Sequence, residues 1–269
     1  MYYLENFVHP YIPNSAPAVE REMLRELGVE RAEDLYDLIP EDLKLKRRLE
    51  LPGPFLSEPE LKRHVNGMLH SNISCEENLS FLGAGCWQHA VPALCDEIAG
   101  RAEFLTAYCG DTYSDKGKYQ ALFEYQSMLG ELLGMDLVSC PTYDWSCAMG
   151  SAIMMAGRIT QRKKALLVGS TAPERLSQVQ NFCKRAMEII LVPFSQETGT
   201  MNLEVLEKML GDDTACVYFE NPNFLGVVEP ESAAICGAAK KVGAISIVGV
   251  DAISLGVYGA PATYGADIV

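Results

Sequence analysis

Three short segments contain residues that could bind a ligand or take part in catalysis. Each of them follows a stretch of sequence that predicts a buried strand. They span residues 141–146, 220–226 and 250–254. In an open α/β sheet, ligands collect at the carboxyl ends of the strands, where loops of this kind lie. The spacing therefore predicts one ligand site built from several loops.

The first segment, PTYDWS, ends where a helix is predicted to begin. A helix N-terminus offers free N–H groups and positive potential, which suit a phosphate. Asp144 and Ser146 are therefore candidate phosphate-site residues. Either side chain can instead be a plain N-cap, and the sequence by itself favours the cap.

The other two segments place amides and a carboxylate at strand ends. Asparagines 221 and 223 flank Pro222, which is ordinarily a turn signal. In pyridoxal-phosphate enzymes of fold type I, a similar asparagine faces the phenolic oxygen of the cofactor. Asp251 follows a buried apolar strand, and an aspartate there can pair with a pyridine nitrogen and keep the ring an electron sink. It can equally be a loop residue or a cap.

A pyridoxal-phosphate enzyme also needs a lysine that holds the cofactor as a Schiff base. That lysine usually follows such an aspartate, yet the sequence after Asp251 contains none. The nearest, Lys240 and Lys241, fall on the preceding predicted helix. The loops thus predict a cofactor-domain fold from which the essential amine is missing.

The elements that must position these loops alternate from about residue 117. Helices are predicted at 118–133, 145–158, 171–187, 203–210 and 232–241, and strands at 137–140, 165–169, 189–192, 215–220 and 244–250. This alternation predicts a largely parallel sheet covered by helices on both faces. Residues 1–80 are predicted as a helical segment and 81–269 as a large α/β domain, which we expect to be truncated because a strand is predicted to begin at its end.

Composition narrows the classes of partner. The net charge of −14 repels phosphate backbones, which argues against nucleic acid. No apolar run approaches the roughly 18 residues of a membrane span, and we expect a cytoplasmic protein without a membrane partner. The nine cysteines include no C-x-x-C pair, so we expect reduced thiols, buried at Cys140, Cys216 and Cys236, and no metal site.

Several motifs, in order along the chain, resemble the glycine cleavage system P-protein, the glycine decarboxylase, and in particular its subunit 1. They are FLGAG at 81–85, EFLTAY at 103–108, QALFEYQ at 120–126, YD at 143–144, NPNFLG at 221–226, Asp251, SLG at 254–256 and YGADIV at 264–269. The resemblance covers essentially the whole chain. It implies the fold-type-I pyridoxal-phosphate transferase-like scaffold, in agreement with the pattern of strands and helices.

The family implies a glycine dehydrogenase (decarboxylating) of two similar subunits, assembled as a heterotetramer with two copies of each (α₂β₂). The second subunit carries the Schiff-base lysine for pyridoxal phosphate, and the first helps to close the active site. Glycine loses carbon dioxide, and its aminomethyl group passes to the lipoyl arm of the H-protein. The missing lysine fits the first subunit.

Two departures fall where substrate or acceptor is expected. Residues 109–117 are one residue shorter than the usual family loop and lack its Pro-Glu. Tyr108, Asp111 and Tyr113 are the catalytic candidates of this region. The family's glycine after Tyr-Asp is replaced by Trp145. Two alternatives therefore stay open: a divergent two-subunit pyridoxal-phosphate enzyme for another amino acid, and a non-catalytic scaffold for the partner.

Overall fold

The computed structural model describes residues 8, 10–47, 49–83, 85, 87–101, 104 and 116–269. The chain divides into two compact units, Met1–Ile73 and Ser74–Val269. The predicted division at residue 80, and the predicted truncation, stay predictions.

The first unit contains helices joined by loops. Helix α1 (Pro17–Leu27) ends at Gly28, whose φ of 72° is the left-handed conformation that glycine adopts most readily. Helix α2 (Glu58–Leu69) is capped by Ser57, whose hydroxyl accepts from the backbone N–H of Glu60 at 3.4 Å. Residues Ala32–Tyr36 form a short 3-10 helix.

The second unit carries the sheet. Its helices are α3 (Ala93–Ala99), α4 (Lys116–Leu133), α5 (Trp145–Thr160), α6 (Pro173–Cys183), α7 (Leu203–Met209) and α8 (Ser232–Lys241). Its strands are β1 (Lys164–Val168), β2 (Glu188–Val192), β3 (Thr214–Glu220) and β4 (Ile245–Gly249). Two 3-10 helices, Ala252–Gly256 and Pro261–Tyr264, follow β4.

The four strands form a parallel sheet in the order β2-β1-β3-β4. Alternate side chains of each strand point to opposite faces. On the α5/α6 face, Leu167, Cys216 and Ile247 pack against helices α5 and α6. On the α7/α8 face, Leu166, Val217 and Val248 belong to a cluster with Leu206 of α7 and Ile235 of α8. The predicted α/β fold is confirmed.

Three local predictions are wrong. Residues 137–140 form no strand, because the exposed chain after α4 pairs with none of the described strands and Gln126 of α4 bonds the carbonyl of Val138 instead. The helix predicted at 171–187 is shorter, since α6 begins behind Ala172 as N-cap and ends at Cys183. Cys140 is exposed, whereas Cys216 and Cys236 are buried as predicted.

The last residues extend the sheet locally. Ile268 forms a parallel bridge with Ile247, and the backbone N–H of Val248 donates to the carbonyl of Ile268 at 2.9 Å. Asp267 accepts from the backbone and hydroxyl of Ser246, each at 2.8 Å. These bonds place 267–268 along the free edge of β4.

Within the described residues, no helix is both long enough and apolar enough to cross a membrane. The cytoplasmic location stays a prediction.

Candidate active site

The carboxyl end of β3 places two polar side chains on one face of an otherwise apolar strand. Tyr218 and Glu220 are two residues apart, and both are buried. The Tyr218 hydroxyl donates to Oε1 of Glu220 at 3.0 Å. Arg175, near the start of α6, donates through Nε and Nη2 to the two Glu220 oxygens at 2.9 Å each. This bidentate pair binds helix α6 to the end of the strand.

Trp145 completes this cluster. Its indole N–H donates to the Tyr218 hydroxyl at 3.1 Å, and the Arg175 guanidinium carbon lies 4.3 Å from the centre of its ring. The side chains of Trp145, Arg175, Tyr218 and Glu220 are called the strand-end cluster below. Gly249 leaves room for it, because a Cβ there would collide with the Tyr218 hydroxyl and lie 3.1 Å from the indole nitrogen.

Burial sets the protonation of the strand-end cluster. It raises the pKa of Glu220 above its ordinary value, while the Arg175 guanidinium opposes that rise. It also raises the pKa of Tyr218 well above the usual value for tyrosine, and the neighbouring Glu220 adds to the effect. Tyr218 therefore keeps its proton and acts as a hydrogen-bond donor.

The loop after β4 places Asp251 beside the strand-end cluster. Its Oδ1 accepts from the backbone N–H of Ile253 at 3.0 Å, so Asp251 caps the following 3-10 helix. Its Oδ2 accepts from the indole N–H of Trp87 at 3.1 Å, and Nε2 of His89 lies 3.8 Å from the same oxygen. The cap that the sequence left open as an alternative is present.

One cavity joins these groups. It has a volume of about 200 Å³ and is lined by Trp87, Trp145, Arg175, Glu220, Pro222, Asn223, Phe224, Asp251 and Ser254. A neighbouring apolar cavity of about 260 Å³ lies between α4, α5 and β4. Indole rings, a guanidinium and two carboxylates therefore converge at the carboxyl ends of β3 and β4, where an α/β sheet binds its ligands.

Asp144 caps helix α5. Its Oδ1 accepts from the backbone N–H of Cys147 at 2.7 Å, and this bond lowers the pKa of Asp144. Asp144 in turn raises the pKa of the Cys147 thiol, which opposes the thiolate that a reactive cysteine needs. Ser146 is buried in the first turn of α5. The cap that the sequence favoured at this helix is confirmed.

Both asparagines of the 220–226 loop bond within the chain. The amide of Asn221 donates to the Ser232 hydroxyl at 2.9 Å, and its oxygen accepts from the N–H of Glu229 at 3.1 Å. The amide of Asn223 donates to the carbonyl of Gly199 at 2.8 Å, and its oxygen accepts from the N–H of Leu225 at 3.0 Å. These bonds hold the loop in shape.

Of the predicted site residues, Asn223 and Asp251 line the 200 Å³ cavity, whereas Asp144, Ser146 and Asn221 do not. Tyr108, Asp111 and Tyr113 lie outside the described residues. Cofactor binding by Asp144, Ser146, Asn221, Asn223 and Asp251 stays a prediction. Catalysis by Tyr108, Asp111 and Tyr113 also stays a prediction.

Sequence reasoning missed Trp87, Arg175 and the pairing of Tyr218 with Glu220. The last had a signal, because tyrosine and glutamate two residues apart in a buried strand must share a face. No local pattern signals Trp87, since its partner Asp251 lies 164 residues away in the sequence.

Comparison with solved structures defines the class. A crystal structure of glycine decarboxylase (P-protein) of the glycine cleavage system, in inhibitor-bound form, matches with a TM-score of 0.76 at 30% identity, over 97% of this chain and 57% of that one. Glutamate decarboxylase of Lactobacillus brevis matches with a TM-score of 0.56 at 12% identity, over 77% of this chain and 50% of that one. The second unit has the fold of fold-type-I pyridoxal-phosphate enzymes.

Sequence comparison identifies the family. The sequence profile of the glycine cleavage system P-protein matches residues 9–269, and the chain belongs to that family. Proteins named probable glycine dehydrogenase (decarboxylating) subunit 1 are 40% identical, over 262 residues in Carboxydothermus hydrogenoformans and over 260 in Chlorobaculum parvum. The chain spans 57% and 58% of the lengths of these two relatives.

The strand-end cavity of this chain does not fit pyridoxal phosphate. No lysine is among the described residues that line it. Both oxygens of Asp251 already accept hydrogen bonds, and Arg175 is neutralised by Glu220. Its volume of about 200 Å³ is also below the roughly 300 Å³ at which ligand pockets usually begin.

Proposed function

We propose that this chain is the non-lysine subunit of a two-subunit glycine decarboxylase of the glycine cleavage system. The enzyme removes carbon dioxide from glycine and passes the aminomethyl group to the lipoyl arm of the H-protein. The observation that carries the proposal is a P-protein family match over residues 9–269 in a chain whose strand-end cavity has no lysine among the described residues that line it. The printed names of the 40% identical relatives support it.

The cofactor belongs, in this proposal, to the lysine-bearing partner subunit. Pyridoxal phosphate supplies an electron sink for the bond that breaks in decarboxylation. This chain helps to close the shared active site, and Tyr108, Asp111 and Tyr113 are its residues proposed to reach the substrate. The functional assembly is proposed to be a heterotetramer with two copies of each subunit.

Within this chain, the strand-end cluster fixes the ends of β3 and α6. The Arg175–Glu220 pair and the Trp145–Tyr218 bond join the polar groups of the cluster to one another. A rigid strand end suits a surface that must meet a partner's active site in one geometry. Asp144, Asn221 and Asn223 hold the adjoining loops by the bonds described above.

The deciding experiment is exchange of carbon between glycine and bicarbonate. The full-length chain is co-expressed with its lysine-bearing partner and assayed with lipoylated H-protein. We expect exchange that requires both subunits and is absent from either alone. A stable, cofactor-loaded complex without exchange would contradict the glycine assignment.

A second candidate is a two-subunit pyridoxal-phosphate enzyme that acts on another amino acid. The observation that favours it is Trp145, a bulky residue where the family usually has glycine, placed in the lining of the strand-end cavity. If the loaded complex lacks exchange with glycine but releases carbon dioxide from a larger amino acid, this candidate replaces the first.

The non-catalytic scaffold is separated from both by conservative variants. Tyr108→Phe and Tyr113→Phe remove one hydroxyl each and should lower exchange at least tenfold while the complex still assembles. Exposed Tyr36 of the first unit provides the control, and Tyr36→Phe should leave exchange unchanged. Unchanged exchange in all three variants would support a scaffold instead.

A further inference from the structure

We propose that this chain closes its own strand-end site from within, with the indole of Trp87 in the place that a pyridine ring would take on Asp251. The inference deepens the proposed function in one respect, the assignment of the cofactor to the partner subunit alone. It does not depend on which amino acid the enzyme decarboxylates.

Asp251 accepts a hydrogen bond from an aromatic ring nitrogen of its own chain. In a fold-type-I site, the aspartate after this strand accepts a bond from the ring nitrogen of the cofactor. Here Oδ2 of Asp251 accepts instead from the indole nitrogen of Trp87 at 3.1 Å. An indole N–H, like a pyridinium N–H, is a donor in the plane of a flat aromatic ring. Trp87 therefore satisfies the carboxylate with the same kind of donor.

The other oxygen of the carboxylate also accepts a hydrogen bond. Oδ1 accepts from the backbone N–H of Ile253 at 3.0 Å. His89 lies on the remaining side, with Nε2 3.8 Å from Oδ2 and its ring edge-on to Trp87, at 6.2 Å between ring centres. A pyridine nitrogen could reach Asp251 only if the segment that carries Trp87 and His89 moved away.

The second indole narrows the same cavity from the side of β3. Trp145 is held by its bond to Tyr218 and by the Arg175 guanidinium beneath its ring. Among the described residues that line the cavity, Arg175 is the one arginine or lysine, and it donates two hydrogen bonds to Glu220. The described lining thus offers a phosphate only a guanidinium whose charge is already paired, and a pyridine ring only carboxylates that already accept hydrogen bonds.

The consequence is one cofactor for each pair of subunits. An open strand-end site without a lysine would bind the cofactor without the covalent bond that makes it productive. An internal indole instead fixes the loop after β4 and ties residues 87–89 to it. Trp87 is thus a positioning residue for this loop as well as the group that excludes the ring.

The test uses equilibrium dialysis of the full chain with pyridoxamine 5′-phosphate. This probe has no aldehyde, so it cannot form adducts with surface lysines. We expect no saturable binding by the wild-type chain. Trp87→Ala should bind at least tenfold more tightly, because it frees Oδ2 and the space of the ring. Trp87→Ala combined with Asp251→Asn should lose that gain.

One control variant and one replacement variant keep the result decisive. Val91→Ala removes a side chain that is also exposed and lies in the same segment, and it should bind no more tightly than wild type. If Trp87→Ala does not fold, judged by circular dichroism, Trp87→Leu replaces it, since leucine keeps part of the apolar volume but neither fills the space of the indole ring nor donates a hydrogen bond. We then expect at least a threefold gain.

Saturable binding by the wild-type chain as tight as that of the variant would overturn the inference, as would a folded Trp87 variant that gains nothing. The exchange assay answers a separate question. Exchange that needs both subunits, together with wild-type binding of the probe, would retain the proposed function and reject the internal closure.

Discussion

The two faces of the sheet carry the same kinds of apolar residue, but different polar groups lie on each face at the carboxyl ends of the strands. On the α5/α6 face, the core gives way at the carboxyl ends to the strand-end cluster, with a buried ion pair. On the α7/α8 face, the core ends at the bond between Asn221 and Ser232 and at the buried Glu229 carboxylate, which accepts backbone N–H groups rather than pairing with an arginine. Apolar packing is shared by both faces, so the polar ends of the strands decide which face can hold a functional site.

The largest expected difference between the faces lies in the ion pair. Arg175→Ala leaves the Glu220 carboxylate buried without its partner, and we expect the free energy of unfolding to fall by about 3–5 kcal/mol. Ile235→Val on the α7/α8 face should cost only about 0.5–1.5 kcal/mol. Urea denaturation of the full chain measures both.

A double variant sharpens this result. Replacing both members of the pair with methionine removes both charges together, and we expect a smaller loss than in Arg175→Ala. If the single and double variants lose the same free energy, the cost comes from packing rather than from an unpaired charge.

Glycines on the two faces should respond in opposite directions. Gly249→Ala drives a Cβ into the strand-end cluster, and we expect a loss of about 1–3 kcal/mol. Gly237→Ala in α8 meets nothing within 4 Å, so we expect a gain of about 0.5–1 kcal/mol from helix propensity. Thermal unfolding tests both, and a neutral Gly249→Ala would show that the cluster is loosely packed.

The α5/α6 core should also respond to alkaline pH. Burial raises the pKa of the Cys216 thiol to about 12, from the ordinary 9.0 that holds in the unfolded chain. The unfolded thiol therefore ionises first, and stability that is complete below pH 9 is lost as the pH rises toward 12. Between pH 8 and pH 10 this thiol should account for about 1.4 kcal/mol of lost stability.

Cys216→Ala should abolish that part of the pH dependence. The measurement is the free energy of unfolding in urea at both pH values, with exposed Cys95→Ala as the control. An unchanged slope in Cys216→Ala would mean that the thiol ionises alike in the folded and unfolded chains.

Most elements of the fold could be predicted from the sequence, because their signals are local. Helix α8 begins and ends at the predicted residues, and each of the four strands lies within one residue of its prediction. The strand predicted at residues 137–140 was wrong because a strand forms only beside another strand. Residues 137–140 have the composition of a strand, but a strand also needs a neighbour with free backbone groups, which lies beyond a local pattern.

The sequence by itself determined the alternation of strands and helices and the family. Each of these depends on residue types and on spacings of a few residues. Only the tertiary structure decided that Trp87 bonds to Asp251 and that Arg175 pairs with Glu220 beneath Trp145. These partners are 164 and 45 residues apart, and the packing of the fold, rather than any local preference, brings them together.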